Sequence, residues 1–259
     1  MSYYRGKRAL VTGGSEGIGL AVAAGLQAHG ARVTIASRRQ SKLDKAVRKH
    51  PGLEAHALDL TDAPAVQTFV DAQQPYELVV NCVGFAKPGY LLEQSLEDIY
   101  AMMNGNCYTA INLTKALLPS WTRRASGHLV HTSSIGGFLG LFGYTGYCAS
   151  KFALLGFCEA LQRELKPYKI AVSVLCPPNT RTPGLDEENK TKPPEVLATE
   201  EKIIVVEPET VAQYLLKVMP RRPFLVIPTS DGRWAHRLKR WTPAILDSML
   251  KRPEPGQRS

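Results

Sequence analysis

Clustered metal ligands and paired cysteines are missing from this sequence. The five cysteines, Cys82, Cys107, Cys148, Cys158 and Cys176, stand at scattered spacings and form no CxxC pair. A disulfide framework or a zinc site needs clustering, so small buried thiols in a reducing cytosol are the expectation. The six histidines are equally dispersed, without an HExxH spacing, and no metal is expected. No apolar run approaches the roughly 18 residues of a membrane span. The opening residues 1–8 lead straight into an apolar stretch, leaving no room for a signal peptide. Acidic residues are scarce at both ends. Residues 1–50 hold ten Lys/Arg against two acids, and residues 220–259 hold nine against three. A nucleic-acid binder would spread its basic charge over one face, so this bipolar pattern argues against one. An anionic lipid surface remains a candidate partner for the last block.

What is present is a regular alternation. Short β-branched runs at 9–11, 32–36, 55–58, 78–80, 128–131, 170–175 and 224–227 read as strands. Between them, helix-length stretches fall at 17–29, 41–50, 62–72, 96–120, 147–168 and 209–218. Strands alternating with helices require right-handed crossovers and give a parallel sheet covered on both faces. The expected architecture is a single α/β Rossmann-type domain over residues 1–231, doubly wound around seven parallel strands. Residues 183–207 show no clear period and read as a lid or binding loop. Residues 232–259 read as a basic amphipathic tail.

Thr12-Gly13-Gly14-Ser15-Glu16-Gly17-Ile18-Gly19 lies between the first strand and the first helix. A dinucleotide pyrophosphate needs backbone amides at close range, and Gly13, Gly17 and Gly19 remove the side chains that would block it. The helix N-terminus supplies further amides and its dipole. Ser15 and Ile18 belong to the same turn. At the end of the second strand, where NAD sites carry an acid, stand Ser37, Arg38 and Arg39. A hydroxyl and two guanidiniums suit a ribose 2′-phosphate and select NADPH. Asp59 and Leu60, after the third strand, are placed to flank adenine, with helix capping the other role open to Asp59. Asn81 and Gly84 close the fourth strand at the ligand-binding edge. Asn81 either ties strands together or touches the cofactor.

Ser134, Tyr147 and Lys151 form the chemical signature. Tyr147 and Lys151 lie one helical turn apart and share a face. A lysine ammonium favours the phenolate and is expected to lower the phenol's pKa. Ser134 can hydrogen-bond a substrate carbonyl. With these residues the chain resembles the short-chain dehydrogenase/reductase family from about Lys7 to Ile227. The resemblance implies that Ser134, Tyr147 and Lys151 are catalytic. It adds Asn106, whose backbone carbonyl holds a relay water in that family. It also sets Pro177, Thr180 and Thr182 in the turn beside the nicotinamide, where a second proline, Pro178, replaces the usual glycine. Within the family, residues 140–153 and 177–193 are similar to the 3-ketodihydrosphingosine reductases. That implies NADPH-dependent reduction of a lipid ketone, 3-ketosphinganine, by a homo-oligomer assembled through the helices of Asn106 and Tyr147.

A long alkyl substrate needs an apolar wall. Phe138, Leu139, Leu141 and Phe142, with Phe85, Tyr90, Leu91 and Leu92 opposite, are the candidates, ordinary packing being the competing role. In the tail, Trp234, Leu238, Trp241, Ile245, Met249 and Leu250 recur at three- and four-residue spacings among Arg233, Arg237, Lys239 and Arg240. Such a helix suits peripheral contact with a membrane interface, or packing on the body. Two other functions compete: a short-chain reductase of 3-oxoacyl thioesters, steroids or small carbonyls, and a non-enzymatic NADPH-binding regulator. An intact Ser134, Tyr147 and Lys151 disfavours the second.

Overall fold

A computed structural model describes residues 3–201 and 203–249. β1 (Arg8–Thr12) pairs in parallel with β2 (Arg32–Ser37) on one side and with the central strand β4 (Leu78–Asn81) on the other. β3 (Glu54–Ala57) extends the sheet beyond β2, while β5 (Gly127–Thr132), β6 (Ile170–Leu175) and β7 (Leu225–Val226) extend it beyond β4. All pairings are parallel, in the order β3-β2-β1-β4-β5-β6-β7. The order reverses between β1 and β4, which opens a crevice at the carboxyl ends of those strands.

The continuous apolar runs of the inner strands follow from burial on both faces. On one face α1 (Gly17–Ala28), α2 (Gln40–Lys49) and α9 (Pro208–Val218) bury Val22, Leu26, Leu43, Val211 and Leu215 against Val11, Ile35 and Val80. On the other, α3 (Ala63–Asp71), α5 (Thr109–Arg124) and α6 (Thr145–Leu165) bury Val66, Leu113, Leu117, Trp121 and Leu154 against Leu10, Val79 and Leu129. Truncating one such leucine to alanine costs roughly 2–5 kcal/mol. Trp121 is fully buried, and its indole N–H donates to the Tyr76 carbonyl at 2.8 Å.

Three segments depart from the sequence expectations. The stretch expected as one helix at 96–120 is α4 (Leu96–Met103), a π turn over Asn104–Tyr108, and then α5. Gly105 weakens the helix there, and the Asn106 side chain is held outside it by the Phe85 backbone. The lid contains α7 (Pro183–Asn189) and α8 (Pro194–Glu200). Each begins on a proline, whose missing amide suits a first turn, and Thr182 caps α7 by accepting from Leu185 N at 3.2 Å. Helices of two turns are too short to show a period. In the tail, α10 (Ser230–Trp241) gives way to α11 (Pro243–Met249) at Thr242. The break turns Leu246 inward, leaving Ile245 52% exposed. Leu238 packs on the core, and His236 meets Phe138 edge-on at 5.0 Å. Arg233 donates to the Ile227 and Pro228 carbonyls, whereas Trp234 and Trp241 stay exposed. Leu250 and the rest of the tail lie outside the described residues, as does the Met249 side chain.

Candidate active site

The crevice is a cleft of ≈ 910 Å³ running from the β1–α1 turn, across the ends of β4 and β5, to the lid. At its nucleotide end Gly13 has φ +69°, and a Cβ there would fall 2.8 Å from the Cys82 carbonyl carbon. Gly17 has φ +54°, and its Cβ would fall 2.9 Å from Thr182 Cγ2. Both positions demand glycine for conformation and for space. Ser15, Ile18 and Gly19 line the same wall. Glu16 precedes α1 without capping it. Its carboxylate turns to Arg39 at 3.7 Å and to Lys42. The first-turn amides of α1 are thus left without a side-chain cap, as an anion site requires.

Beyond the turn stand Ser37, Arg38, Arg39 and Lys42, with the Ser15 hydroxyl donating to Ser37 Oγ at 3.0 Å. Lys42 is an addition that the sequence reading missed. It lies one turn into α2, where it looks like any solvated helix lysine. Asp59 and Leu60 also line the cleft. Burial pushes the Asp59 carboxyl up, but its bonds from Thr61 and the nearby Arg38 charge prevail and hold it below the usual value. Asp59 accepts from Thr61 N at 2.9 Å, and the cap of α3 is Asp62, which accepts from Ala65 N at 3.0 Å. Uncapped amides, bare glycine walls and a basic rim without an acid on β2 fit a 2′-phosphorylated dinucleotide.

Asn81 and Asn106 stand behind the wall of the cleft. Asn81 is 2% exposed, accepts from Thr12 Oγ1 at 2.7 Å and from Val83 N at 3.1 Å, and meets His131 Nδ1 at 3.1 Å. It ties β1 to β5 across β4, the structural one of its two possible roles. Asn106 accepts from Phe85 N at 2.8 Å and donates to the Phe85 carbonyl and to Ser150 Oγ. Its side chain fixes the loop after β4 and the residue before Lys151. Gly84 lines the cleft, and its clearance serves these side chains. A Cβ there would fall 2.7 Å from Asn106 Oδ1 and 2.9 Å from Lys151 Nζ.

Ser134, Tyr147 and Lys151 meet in the middle of the cleft. Ser134 follows β5 by two residues and bonds both Gly136 N, at 3.1 Å, and the Tyr147 phenol. Lys151 is 3% exposed; its ammonium donates to the Thr132 carbonyl at 3.0 Å and lies 5.7 Å from the Tyr147 ring centroid. Burial draws the Lys151 pKa down to about 8. Contrary to expectation, Tyr147 sits above its ordinary value. Burial dominates, the Ser134 bond opposes it, and the Glu188 charge adds to the rise. Pro177, Thr180 and Thr182 line the cleft on the far side.

At the substrate end the expected apolar wall is smaller. Phe138 and Leu139 are buried in the core, and Phe142 is exposed with its ring 6.1 Å from Tyr90. Leu91 and Leu92 point to solvent, at 54% and 90% exposure. Of the expected residues Phe85 and Leu141 do line the cleft, and Ala86 and Leu185 join them there. Sequence reasoning missed a polar group beside it. The Tyr144 hydroxyl donates to Glu188 Oε1 at 2.6 Å and also meets Glu200 Oε1 at 3.1 Å. Lys192, whose side chain is fully buried, bonds Glu200 Oε2 at 2.5 Å and lies 3.3 Å from Glu188 Oε1. Glu188 and Lys192 stand four residues apart, but no spacing rule joins them to residues 144 and 200.

Comparison with known proteins agrees with this geometry. The chain is 37% identical over 228 residues to "3-dehydrosphinganine reductase" of Danio rerio, covering 82% of this chain and 68% of that one. It is 36% identical over 240 residues to "3-ketodihydrosphingosine reductase" of Mus musculus, covering 88% and 72%. A short chain dehydrogenase from Burkholderia cenocepacia J2315, solved in complex with NADP, superposes with a TM-score of 0.83 at 22% identity over 98% of this chain and all of that one, a likeness of fold. Residues 7–193 match the family described as short chain dehydrogenase, and with these relatives the chain belongs to it.

Proposed function

We propose that this protein reduces 3-ketosphinganine to sphinganine with NADPH. The convergence of Ser134, Tyr147 and Lys151 in a cleft that also offers Ser37, Arg38 and Arg39 is the observation that carries the reading. The vertebrate relatives named for this reaction support the substrate. Bound NADPH supplies the hydride; the chain does the rest. Ser134 holds the ketone oxygen by a hydrogen bond and stabilises the charge that builds on it. Tyr147 donates its proton to that oxygen, and burial keeps the phenol fully protonated until then. Lys151 is held by the Thr132 carbonyl, where it would bind the nicotinamide ribose and where its positive charge compensates the phenolate left behind. Asn106 keeps Ser150, and with it Lys151, in register.

An oligomer through α4, the π turn and α6 is supported by the exposed Leu96, Tyr100, Tyr108 and Phe152. Among the described residues no helix is long and apolar enough to cross a membrane. The exposed Trp234 and Trp241, flanked by Arg237 and Arg240, support peripheral contact with a lipid surface. The deciding experiment follows NADPH and NADH oxidation in parallel, with 3-ketosphinganine and with a 3-oxoacyl thioester. The reading expects the sphingoid ketone with NADPH to be the efficient pair. Equal or greater efficiency with the thioester refutes it.

A further inference from the structure

We infer that Glu188 is the residue that recognises the substrate's ammonium group, so that the enzyme selects a ketone carrying an amine on the adjacent carbon. This inference rests on the substrate reading above and adds to it a determinant of specificity. A 3-keto sphingoid base carries its amine on the carbon next to the carbonyl carbon. Whatever accepts that ammonium must therefore stand beside the groups that hold the carbonyl oxygen. Glu188 lines the same cleft as Ser134 and Tyr147, and its side chain is 18% exposed. Its Oε1 is occupied by the Tyr144 hydroxyl, whose ring lies 5.9 Å from that of Tyr147. Lys192 bonds Glu200 Oε2, and Glu200 Oε1 lies 3.1 Å from the Tyr144 hydroxyl, whose one proton goes to Glu188. Among the described residues Glu188 Oε2 has no donor within hydrogen-bond distance, so that oxygen of the group is free to accept from a ligand.

The charge count agrees. Two carboxylates, on side chains 18% and 19% exposed, share a single buried ammonium. The group is one positive charge short of neutrality in a place where water screens poorly. A substrate ammonium supplies that charge. It also acts on the chemistry, because the Glu188 charge raises the Tyr147 phenol and so opposes release of its proton. An ammonium between them cancels that opposition. A ketone without the amine meets both penalties, an unpaired carboxylate and a reluctant donor. Lys192 and Tyr144 act as positioning residues: they hold Oε1 and fix the direction of Oε2.

The test compares 3-ketosphinganine with its des-amino analogue, the 1-hydroxy-3-ketone of the same chain length, on the wild-type enzyme and on Glu188→Gln. The wild type is expected to favour the amine in kcat/KM by roughly 10- to 100-fold, the range for a buried charge-assisted bond. In Glu188→Gln that preference should collapse. KM for the amine rises, the des-amino ketone is reduced as well as before or better, and NADPH affinity measured by fluorescence is unchanged. Equal wild-type efficiency on both ketones overturns the inference without any variant, and so does a Glu188→Gln loss that is the same for both. A wild type active on other ketones but inert toward 3-ketosphinganine refutes the substrate reading itself, and the inference with it.

Discussion

The nucleotide end and the lid end of the cleft are built on different principles. At the nucleotide end, recognition comes from the backbone and from charge on consecutive residues: the turn 13–19, the triplet 37–39 and the uncapped start of α1. At the lid end, it comes from side-chain contacts, with Glu188, Lys192 and Glu200 of the lid joined through hydrogen bonds and ion pairs to one another and to the distant Tyr144. The first can be shared by any chain that binds a dinucleotide. The second is what distinguishes one substrate from another, in keeping with function residing in sites placed on a common fold.

Substitutions should separate these two ends. The largest effect belongs to the point where they meet. Tyr147→Phe should lower turnover by about 10²–10⁴-fold, with NADPH affinity retained in a fluorescence titration; retained turnover would remove the proton donor. At the nucleotide end, Arg38→Asp should lower kcat/KM for NADPH by roughly 10–100-fold by setting a carboxylate against the 2′-phosphate. The relative efficiency with NADH should rise, and the preference between ketones should stay as it was. A change in ketone preference would show that the two ends are not separable.

Acidification probes the sheet that carries both ends. His128 and His131 are buried in β5, and burial draws both down to about 3. The unfolded chain takes up these protons near pH 6.5 while the folded one does not, so stability is lost as pH falls from about 6.5 toward 3. At pH 4.5 each histidine should have cost roughly 2–3 kcal/mol relative to pH 7. Melting curves at the two values, for the wild type and for His131→Gln, check this; a slope unchanged by the substitution would exonerate His131. The smallest effect is expected in the tail. Replacing Trp234 and Trp241 by serine should weaken cosedimentation with anionic vesicles a few-fold without altering kcat on a dispersed substrate.

Sequence reading was strong where structure depends on local chemistry. The strand–helix alternation gave the sheet, because buried parallel strands are continuous apolar runs such as Leu78-Val79-Val80. The glycines at 13 and 17 were legible because a positive φ and a crowded Cβ leave no other choice. It was weaker where one residue can serve two ends. Asn81 sits at the ligand edge by position, yet it spends its amide on His131 and on the strand ends. The aromatic run 138–142 looked like a wall, but its register buries Phe138 and Leu139 in the core and leaves only Leu141 at the cleft. The lid was illegible in detail. Helices as short as α7 and α8 carry no period, and a lysine buried between two glutamates looks, in one dimension, like any charged surface loop.

Tyr144 at the N-cap of α6 and Tyr147, Ser150 and Lys151 in its first two turns fall within eight positions. Tempo and taste are thereby mounted on one rigid bar: a small rotation of that rod moves the proton source, the clamp on the lid and the cation together. Variants that tilt it should slow the enzyme and blur its choice of ketone in the same stroke, so an engineer seeking a new substrate does better to redraw the lid than to disturb the rod.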